Sequence, residues 1–485
     1  MTGEASGYPA IGDLGLVGDG QSVALLGPDG QVEFFCPLRF DAPPLIWPLL
    51  DRQRGGHLHI APVEDVTTTM TYLPDTAVLR YEYAGALGRA RATIAMRWPA
   101  EPGVQELLWL VEGLEGQLTF EVKVRPQPDF GRRRTHLTLD RHLIAYTGDH
   151  PAMQLATAIA ASDTNGSAIG SAVLHAGQRW GFRLRVAETA PPPSFGADAS
   201  EVARDLEQTA RAWRDWTAGI AYGGPAREHV VRSAITLKLL IFEATGAVVA
   251  AATTSLPEHV GGVRNWDYRY TWLRDASFTL NALYALGCTD EARAYARWMC
   301  QTTAARGLPL RVLYGIDGSV EFPEEEIWQV DGYRGSRPVR VGNGAQSQLQ
   351  LDSYGELLDC LTICESVGED VMRAEWPHFG RLVEFVADNW RRPDSGIWEV
   401  RSEPRHFVHS KAMAWVALDR GCTLVERYGL PGDLDRWRRE ADILRREILE
   451  RGVVHGRFRR AYDDDDLDAS LLMLSITGFV AATTR

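Results

Sequence analysis

The sequence has 485 residues, of which 51 are Lys or Arg and 64 are Asp or Glu, giving a net charge of −13. A chain this long exceeds what one hydrophobic core normally serves, so we expect at least two domains. The acidic excess argues against a nucleic-acid partner, which needs clustered basic side chains. No apolar run reaches the roughly 18 residues of a membrane helix, so no membrane partner is expected. The opening residues lack a basic segment followed by an apolar run, which predicts a cytoplasmic protein.

Short segments of alternating apolar and polar residues fill the first part of the chain. A Gly-Pro-Asp-Gly turn at 27–30 separates two apolar runs, which is typical of a β-hairpin. Residues 120–125 and 182–186 repeat the two-residue period of half-buried strands. Many such strands without a long helical period predict a β-sandwich domain over residues 1–198.

The hydrophobic period changes to that of helices after residue 198. A linker helix is predicted within 199–224 from an apolar stripe formed by Val202, Leu206, Thr209 and Trp213. A helical domain is predicted over 225–485, with helices near 275–287, 290–304, 345–367, 371–391, 408–427, 432–452 and 467–475. The long loops 248–272 and 305–342 are expected to carry function, because loops of that length in compact domains usually do.

The segment 253–275 combines aromatic and charged side chains in a pattern that suits sugars. Aromatic faces lie against C–H bonds, while carboxylate and guanidinium groups bind hydroxyls. The segment supplies both kinds, namely Trp266, Tyr268, Tyr270 and Trp272 together with Asp267, Arg269, Arg274 and Asp275. An aromatic contact between domains with surface ion pairs explains the composition equally well. The residue types alone leave both interpretations open.

A longer match favours the sugar site. Residues 261–280, GGVRNWDYRYTWLRDASFTL, resemble the signature of glycoside hydrolase family 15, which comprises glucoamylases and microbial trehalases. Further blocks resemble the family in its own order, at 8–43, 332–359, 395–420 and 467–479. The resemblance therefore covers nearly the whole chain. It implies a β-sandwich followed by an (α/α)6 helical barrel and a small-molecule glucoside as substrate.

The resemblance also implies roles for individual residues. Arg274 and Asp275 would hold hydroxyls of a terminal glucose, and Trp272 would line the same pocket. The general acid would be Glu399, with its neighbour Trp398 helping to remove water from it and so raise its pKa. Further substrate contacts are expected from Trp266, Tyr333 and Arg334. The family uses no metal and no cofactor, and the spacing of His406 and His409 is therefore interpreted as structural.

One element of the family pattern is not found. Inverting hydrolysis needs a second carboxyl group as base, and in the family this is a glutamate in a Gly-Glu-Gly-like block downstream of the segment at 467–479. We therefore expect an apparently incomplete barrel, completed in one interpretation by a second copy of the chain. The acidic run Asp463–Asp466 is a possible substitute base, although a solvated loop explains it more simply.

Three functions follow from these observations. The first is an inverting α-glucoside hydrolase of the glucoamylase or trehalase type, with Glu399 as general acid. The second is a base-deficient homologue that uses the acid for cyclisation, rearrangement or elimination in a biosynthetic pathway, and hydrolyses trehalose poorly. The third is a non-catalytic binding protein.

Overall fold

A computed structural model describes residues 7–188, 196–363 and 369–481, and its contacts divide the chain into two compact units. The first unit comprises Met1–Ala244, Ala251–Arg269 and Glu324–Gly342. The second unit comprises Thr245–Ala250, Tyr270–Pro323 and Asn343–Arg485. None of the helices in the described part of the chain combines the length and apolar character that a bilayer crossing needs.

The first unit is built mainly from antiparallel strands. They are Gly15–Gly18 (β1), Val23–Leu26 (β2), Val32–Phe35 (β3), His57–Pro62 (β4), Val66–Tyr72 (β5), Leu79–Gly85 (β6), Gly88–Met96 (β7), Val104–Arg125 (β8), Thr135–Asp140 (β9), Leu143–Gly148 (β10), His150–Thr157 (β11), Ser162–Thr164 (β12), Ser167–His175 (β13) and Arg179–Ala187 (β14). Strands β1, β2 and β3 form a three-stranded sheet, and the others form an 11-stranded sheet.

The 22-residue strand β8 organises the larger sheet. Its first half pairs with β7 and β14, whereas its second half pairs with β4 and β13. In the second half, the buried side chains Leu118, Phe120, Val122 and Val124 alternate with partly exposed ones. Because both halves turn their apolar faces into one shared core, the sheet divides into two layers. The predicted β-sandwich is confirmed.

Helix α1 (Ala199–Ala218) packs on this sandwich. Asp198 caps it by accepting hydrogen bonds from the backbone N–H groups of Ser200 and Glu201. Its apolar stripe, which includes Val202 and Leu206, packs against the buried Leu108 of β8. The helix is therefore part of the first unit, where the sequence predicted a linker. Helix α2 (Arg227–Leu239) also belongs to the first unit.

Parts of both long loops belong to the first unit as well. Asp267 and Arg269 form a buried ion pair at 2.7 Å. The Arg269 guanidinium also donates to the Ala42 carbonyl (2.8 Å), and the Gly342 N–H donates to Asp267 (3.2 Å). These contacts join 251–269 and 324–342 to the N-terminal region. The units therefore differ from the predicted ranges 1–198, 199–224 and 225–485, because hydrogen bonds between residues far apart in the sequence hold these two segments in the first unit.

Short strands complete both units. The first unit contains Ile241–Phe242 (β15), Thr254–Pro257 (β17), Asn265–Asp267 (β18), Glu325–Ile327 (β21) and Val339–Val341 (β22). The second unit contains Ala247–Val248 (β16), Thr271–Trp272 (β19), Leu313–Tyr314 (β20), Val453–Val454 (β23) and Arg457–Phe458 (β24).

The second unit is mainly helical, as the sequence predicted. Its helices are Leu273–Ala285 (α3), Thr289–Arg306 (α4), Asp352–Ile363 (α5), Glu369–Asn389 (α6), Val408–Tyr428 (α7), Leu434–Arg451 (α8) and Met473–Ile476 (α9). The predicted helix at 345–367 begins later, at Asp352, and the part of it at 364–368 lies outside the described residues.

The helices alternate between two layers. Helices α3, α5 and α7 pack on one another in order, while α4, α6 and α8 pack behind them. Helix α7 is buried along most of its length, whereas α8 buries one stripe that includes Trp437 and Leu444. An all-round apolar helix belongs inside and an amphipathic one outside. This alternation is that of an α/α barrel.

Candidate active site

The start of helix α3 carries the first group of predicted site residues. Strand β19 pairs with β20 and ends at Trp272, and α3 begins at the next residue. Arg274 and Asp275 therefore lie in the first turn of the helix, where the helix dipole favours an acidic side chain. Trp272 is 2% exposed, so the strand-to-helix junction is held in the core.

A tight loop carries Glu399. Asp394 and Arg405 form a β-bridge at its base, with N–H···O distances of 3.0 and 2.9 Å. Gln348 Nε2 donates to the carbonyl oxygens of Glu399 (3.3 Å) and Val400 (3.2 Å). Gly396 adopts φ +65°, and a Cβ atom there would lie 2.6 Å from the Phe407 ring. The loop backbone is thus fixed from several sides.

Glu399 has a left-handed backbone conformation, with φ +53°. Such a conformation is uncommon for a residue other than glycine and is found where surrounding contacts hold it in place. Here the Glu399 N–H donates to the Gly396 carbonyl at 3.1 Å, and the Val400 N–H donates to the Ser395 carbonyl at 3.1 Å. These hydrogen bonds hold the strained backbone in place, so the Glu399 side chain leaves the loop in a fixed direction.

The Glu399 carboxyl group meets Trp272 and Arg274. Trp272 Nε1 donates to Glu399 Oε1 at 2.5 Å, and Arg274 Nη2 lies 3.4 Å from the same oxygen. The side chain is 16% exposed. Burial raises the pKa of Glu399, while the charge of Arg274 and the Trp272 hydrogen bond oppose the shift. The result is a carboxyl group that keeps its proton to a higher pH than an ordinary glutamate.

Arg274 holds a central position in the cluster. Its Nη1 donates to Gln350 Oε1 at 3.1 Å and lies 3.7 Å from Asp352 Oδ2. Its Nη2 lies 3.4 Å from Asp275 Oδ2. The Asp275 side chain is 46% exposed, although its Oδ2 is buried and burial raises its pKa, so the exposed part of the carboxyl group can accept hydrogen bonds from a bound molecule. A fixed donor and an open acceptor side by side suit adjacent sugar hydroxyls.

A layer of buried ionisable groups lies behind these residues, and the sequence analysis did not identify it. Burial raises the pKa of Glu356 to about 8 and that of Asp394 to about 7. Burial also lowers the pKa of Lys411 to about 8 and lowers that of His409. Asp352 is fully buried beside them. The available signal was the pair Asp352 and Glu356, which lie four positions apart and next to the apolar residues Leu351 and Leu357.

Trp398 differs from the expectation. Its side chain is 53% exposed, and its Nε1 donates to Asp468 Oδ2 at 2.8 Å. The indole that contacts the Glu399 carboxyl group is instead that of Trp272. Adjacent residues in a turn point in different directions, so proximity in sequence did not identify the neighbour.

The remaining predicted substrate contacts lie in the first unit. Trp266 packs under the Arg340 guanidinium, 4.4 Å from ring centre to Cζ. The Tyr333 hydroxyl donates to the Pro9 carbonyl at 2.8 Å, and Arg334 Nη2 donates to the Tyr8 carbonyl at 3.3 Å. These side chains therefore have partners within their own unit, and their role in substrate binding stays a prediction.

The acidic run at 463–466 pairs with arginines. Asp463 Oδ1 lies 2.9 Å from Arg405 Nη2, and Asp465 Oδ1 lies 2.8 Å from Arg459 Nη1. The hydrogen bond from Arg405 lowers the pKa of Asp463. These contacts are typical of a structural acidic loop. In the described part of the chain, no group of three or more His, Cys, Asp or Glu side chains is arranged to hold a metal ion.

Comparisons with known proteins identify the family of the chain. Residues 224–484 match the family described as Glycosyl hydrolases family 15, and residues 1–175 match the domain described as Trehalase-like, N-terminal. Trehalase from Mycobacterium tuberculosis is 35% identical over 509 residues, covering 98% of this chain and 73% of the relative. Trehalase from Mycolicibacterium smegmatis is 34% identical over 511 residues, covering 98% and 75%.

A solved structure extends the comparison to the fold. A bacterial glucoamylase complexed with acarbose superposes with a TM-score of 0.67 at 12% identity, covering 96% of this chain and 73% of that one. Its fold is a β-sandwich joined to an (α/α)6 barrel, as predicted for this chain. The family match covers more than half of the chain and the relatives cover nearly all of it. The chain therefore belongs to glycosyl hydrolase family 15.

Proposed function

We propose that the protein is a trehalase, which hydrolyses the bond between the two glucose units of trehalose with Glu399 as general acid. The contact of Glu399 with Trp272 and Arg274 carries this proposal. Trehalose is the substrate named for relatives that align with 98% of the chain. Membership of a hydrolase family favours this function over a base-deficient homologue or a binding protein.

The hydrogen bonds of Glu399 support different roles for its two carboxyl oxygens. Trp272 Nε1 donates to Oε1, and Arg274 Nη2 approaches the same atom. Since Oε1 accepts both of these hydrogen bonds, we assign the acidic proton to Oε2. That oxygen delivers the proton to the glycosidic oxygen as the bond to the anomeric carbon breaks. Burial supports this role because it keeps Glu399 protonated at higher pH.

Arg274 and Asp275 bind the glucose unit that reacts. The guanidinium donates to sugar oxygens, and the partly exposed Asp275 carboxyl group accepts from sugar hydroxyls. Both groups lie in the first turn of α3, directly after Trp272. One short segment therefore orients the acid and the sugar together, so the scissile oxygen is placed relative to the proton donor.

The reaction is expected to invert the anomeric configuration. In this mechanism a second carboxyl group, roughly 6.5–9.5 Å from the acid, activates water on the opposite face of the sugar. The family-type glutamate for this role was not found in the sequence, and we assign the role to none of the described residues. Trehalose contains two α-linked anomeric carbons. Inversion at one of them releases one β-glucose and one α-glucose per molecule cleaved.

Proton NMR of the full chain with trehalose, maltose and isomaltose tests the proposal. We expect equal initial amounts of α- and β-glucose from trehalose, and slower turnover of the other sugars. Only α-glucose at early times would contradict inversion. No turnover of any of the three by folded protein would contradict the hydrolase proposal and favour the acid-promoted alternatives.

A further inference from the structure

Buried carboxyl groups lie directly behind Arg274. Asp352 and Glu356 lie four positions apart on one face of α5, near its start, and are 0% and 4% exposed. Asp394 is 1% exposed and accepts a hydrogen bond from the Leu351 N–H at 2.9 Å. Neither carboxylate oxygen of Asp352 accepts a hydrogen bond from a described residue. A buried carboxylate without donors is costly unless a cation stands close.

Arg274 is that cation. Its Nη1 lies 3.7 Å from Asp352 Oδ2, and its Nη2 lies 3.4 Å from Glu399 Oε1. One planar guanidinium thus stands between the two carboxyl groups. The Arg274 side chain is 11% exposed, so these contacts are only weakly screened by solvent. A change of charge on one side of the guanidinium alters the field on the other side.

We propose that Asp352 is a positioning residue that acts on Glu399 through Arg274. The contact between Asp352 Oδ2 and Arg274 Nη1 fixes the orientation of the guanidinium, and the carboxylate offsets part of its positive charge. The positive charge of Arg274 then stabilises the ionised form of Glu399 less strongly, so Glu399 keeps its proton more readily. The inference deepens the proposed function, because it rests on Glu399 as the general acid. Asp352 itself touches no reacting atom.

Other charged groups surround the same cluster. They lie on α3, α5, the loop at 394–405, α7 and the segment before α9. These groups are Asp275, Glu356, Asp394, His409, Lys411 and Asp468. Loss of the Asp352 charge removes a repulsion felt by Glu356 and Asp394. More negative charge at those two groups would partly replace Asp352, so the effect on Glu399 is expected to be moderate.

The indole of Trp272 provides a direct reporter of Glu399. Full-length protein labelled with ¹⁵N-tryptophan is titrated by NMR, and the Trp272 signal is assigned by its loss in Trp272→Phe. Its pH-dependent shift follows the Glu399 carboxyl group, to which the indole N–H donates. We expect the midpoint to fall by about 0.5–1 pH unit in Asp352→Asn. We expect no pH-dependent shift in Glu399→Gln, which calibrates the reporter.

Asp359→Asn is the matched control. Asp359 lies further along α5, and its carboxylate accepts from Arg420 Nε at 2.7 Å. The same substitution there removes a charge from the same helix and is expected to leave the midpoint unchanged. An unchanged midpoint in folded Asp352→Asn would overturn the proposal. If circular dichroism shows that variant unfolded, Asp352→Ala makes the same charge change in a smaller side chain and is expected to give the same shift.

Kinetics separates this inference from the proposed function. The basic limb of the kcat/KM profile on trehalose is expected to move to lower pH in Asp352→Asn, by the same amount as the NMR midpoint. A shifted midpoint together with no trehalose hydrolysis by the wild-type protein would contradict the proposed function and leave the action of Asp352 supported. Trehalose hydrolysis by the wild-type protein, with neither the NMR midpoint nor the basic limb of the kcat/KM profile shifted in Asp352→Asn, would support the proposed function and contradict the action of Asp352.

Discussion

Trp272 and Glu399 are 127 positions apart in the sequence, and the indole Nε1 of the first donates to Oε1 of the second at 2.5 Å. Trp272 is fixed at the junction of β19 and α3, and Glu399 is fixed in a strained loop bridged by Asp394 and Arg405. Two independently anchored backbones therefore define the position of one carboxyl group.

The substitution Trp272→Phe removes the donor to Glu399 while keeping an aromatic side chain in the core. Since this hydrogen bond opposes the raised pKa of Glu399, its loss is expected to raise that pKa further. The basic limb of the kcat/KM profile then moves to higher pH, and kcat falls roughly 10-fold because the acid is less well oriented. Trp328→Phe, at a 67% exposed tryptophan, should leave the profile unchanged. A shift to lower pH in Trp272→Phe would contradict this account.

The substitution Gly396→Ala tests the loop that holds Glu399. A Cβ atom at Gly396 meets the Phe407 ring at 2.6 Å, and φ is +65°. We expect a loss of about 2–4 kcal/mol in the free energy of unfolding, from overpacking and backbone strain together. Gly456→Ala is the matched control, with φ +76° and no atom within 4 Å of the Cβ position. Gly456→Ala is expected to lose only the part that comes from backbone strain, about 1–2 kcal/mol in the free energy of unfolding. Urea denaturation measures both, and equal losses would show that the Phe407 contact is unimportant.

The buried Glu356 predicts a dependence of stability on pH. Burial raises its pKa to about 8, so the folded protein holds this proton at a pH where the unfolded chain has lost it. The free energy of unfolding should therefore fall as pH rises from about 5 to 8, by at most about 1.4 kcal/mol per pH unit for this group.

Glu356→Gln has no carboxyl group to titrate at this position, so its free energy of unfolding should fall less steeply with pH. The stability of the variant relative to wild type should therefore be higher at pH 8 than at pH 5. Glu450→Gln, at an exposed glutamate of α8, is the control. Urea denaturation at several pH values measures the slope. If Glu356→Gln keeps the full wild-type slope, Glu356 is not the group that titrates.

The hydrophobic period of the sequence was sufficient to predict most of the fold. The alternation over residues 120–125 placed this part of β8 in a sandwich, and helical stripes located α3 to α8. The assignment of 251–269 and 324–342 to the first unit was not predicted. It depends on the buried Asp267–Arg269 pair and its distant partners, and local periodicity carries no information about such contacts.

The sequence predicted one part of the candidate site and missed another. Family blocks identified Trp272, Arg274, Asp275 and Glu399, and the structure brings these side chains together. The buried layer around Asp352 was missed, because acidic residues four positions apart on a helix are usually exposed. Only the packing of α5 between α3 and α7 turns that face inward.

The central claim is that Glu399 supplies the proton to the leaving group. Its most direct test compares kcat/KM for trehalose and for α-glucosyl fluoride, whose fluoride leaves without protonation, in wild type, Glu399→Gln and the control Glu403→Gln. We expect Glu399→Gln to lose about 10²–10⁴-fold on trehalose while keeping activity on the fluoride within about 10-fold, and Glu403→Gln, at an exposed site in the same loop, to match wild type on both. Equal losses on the two substrates in Glu399→Gln, or no loss on trehalose, would contradict the assignment of Glu399 as the general acid.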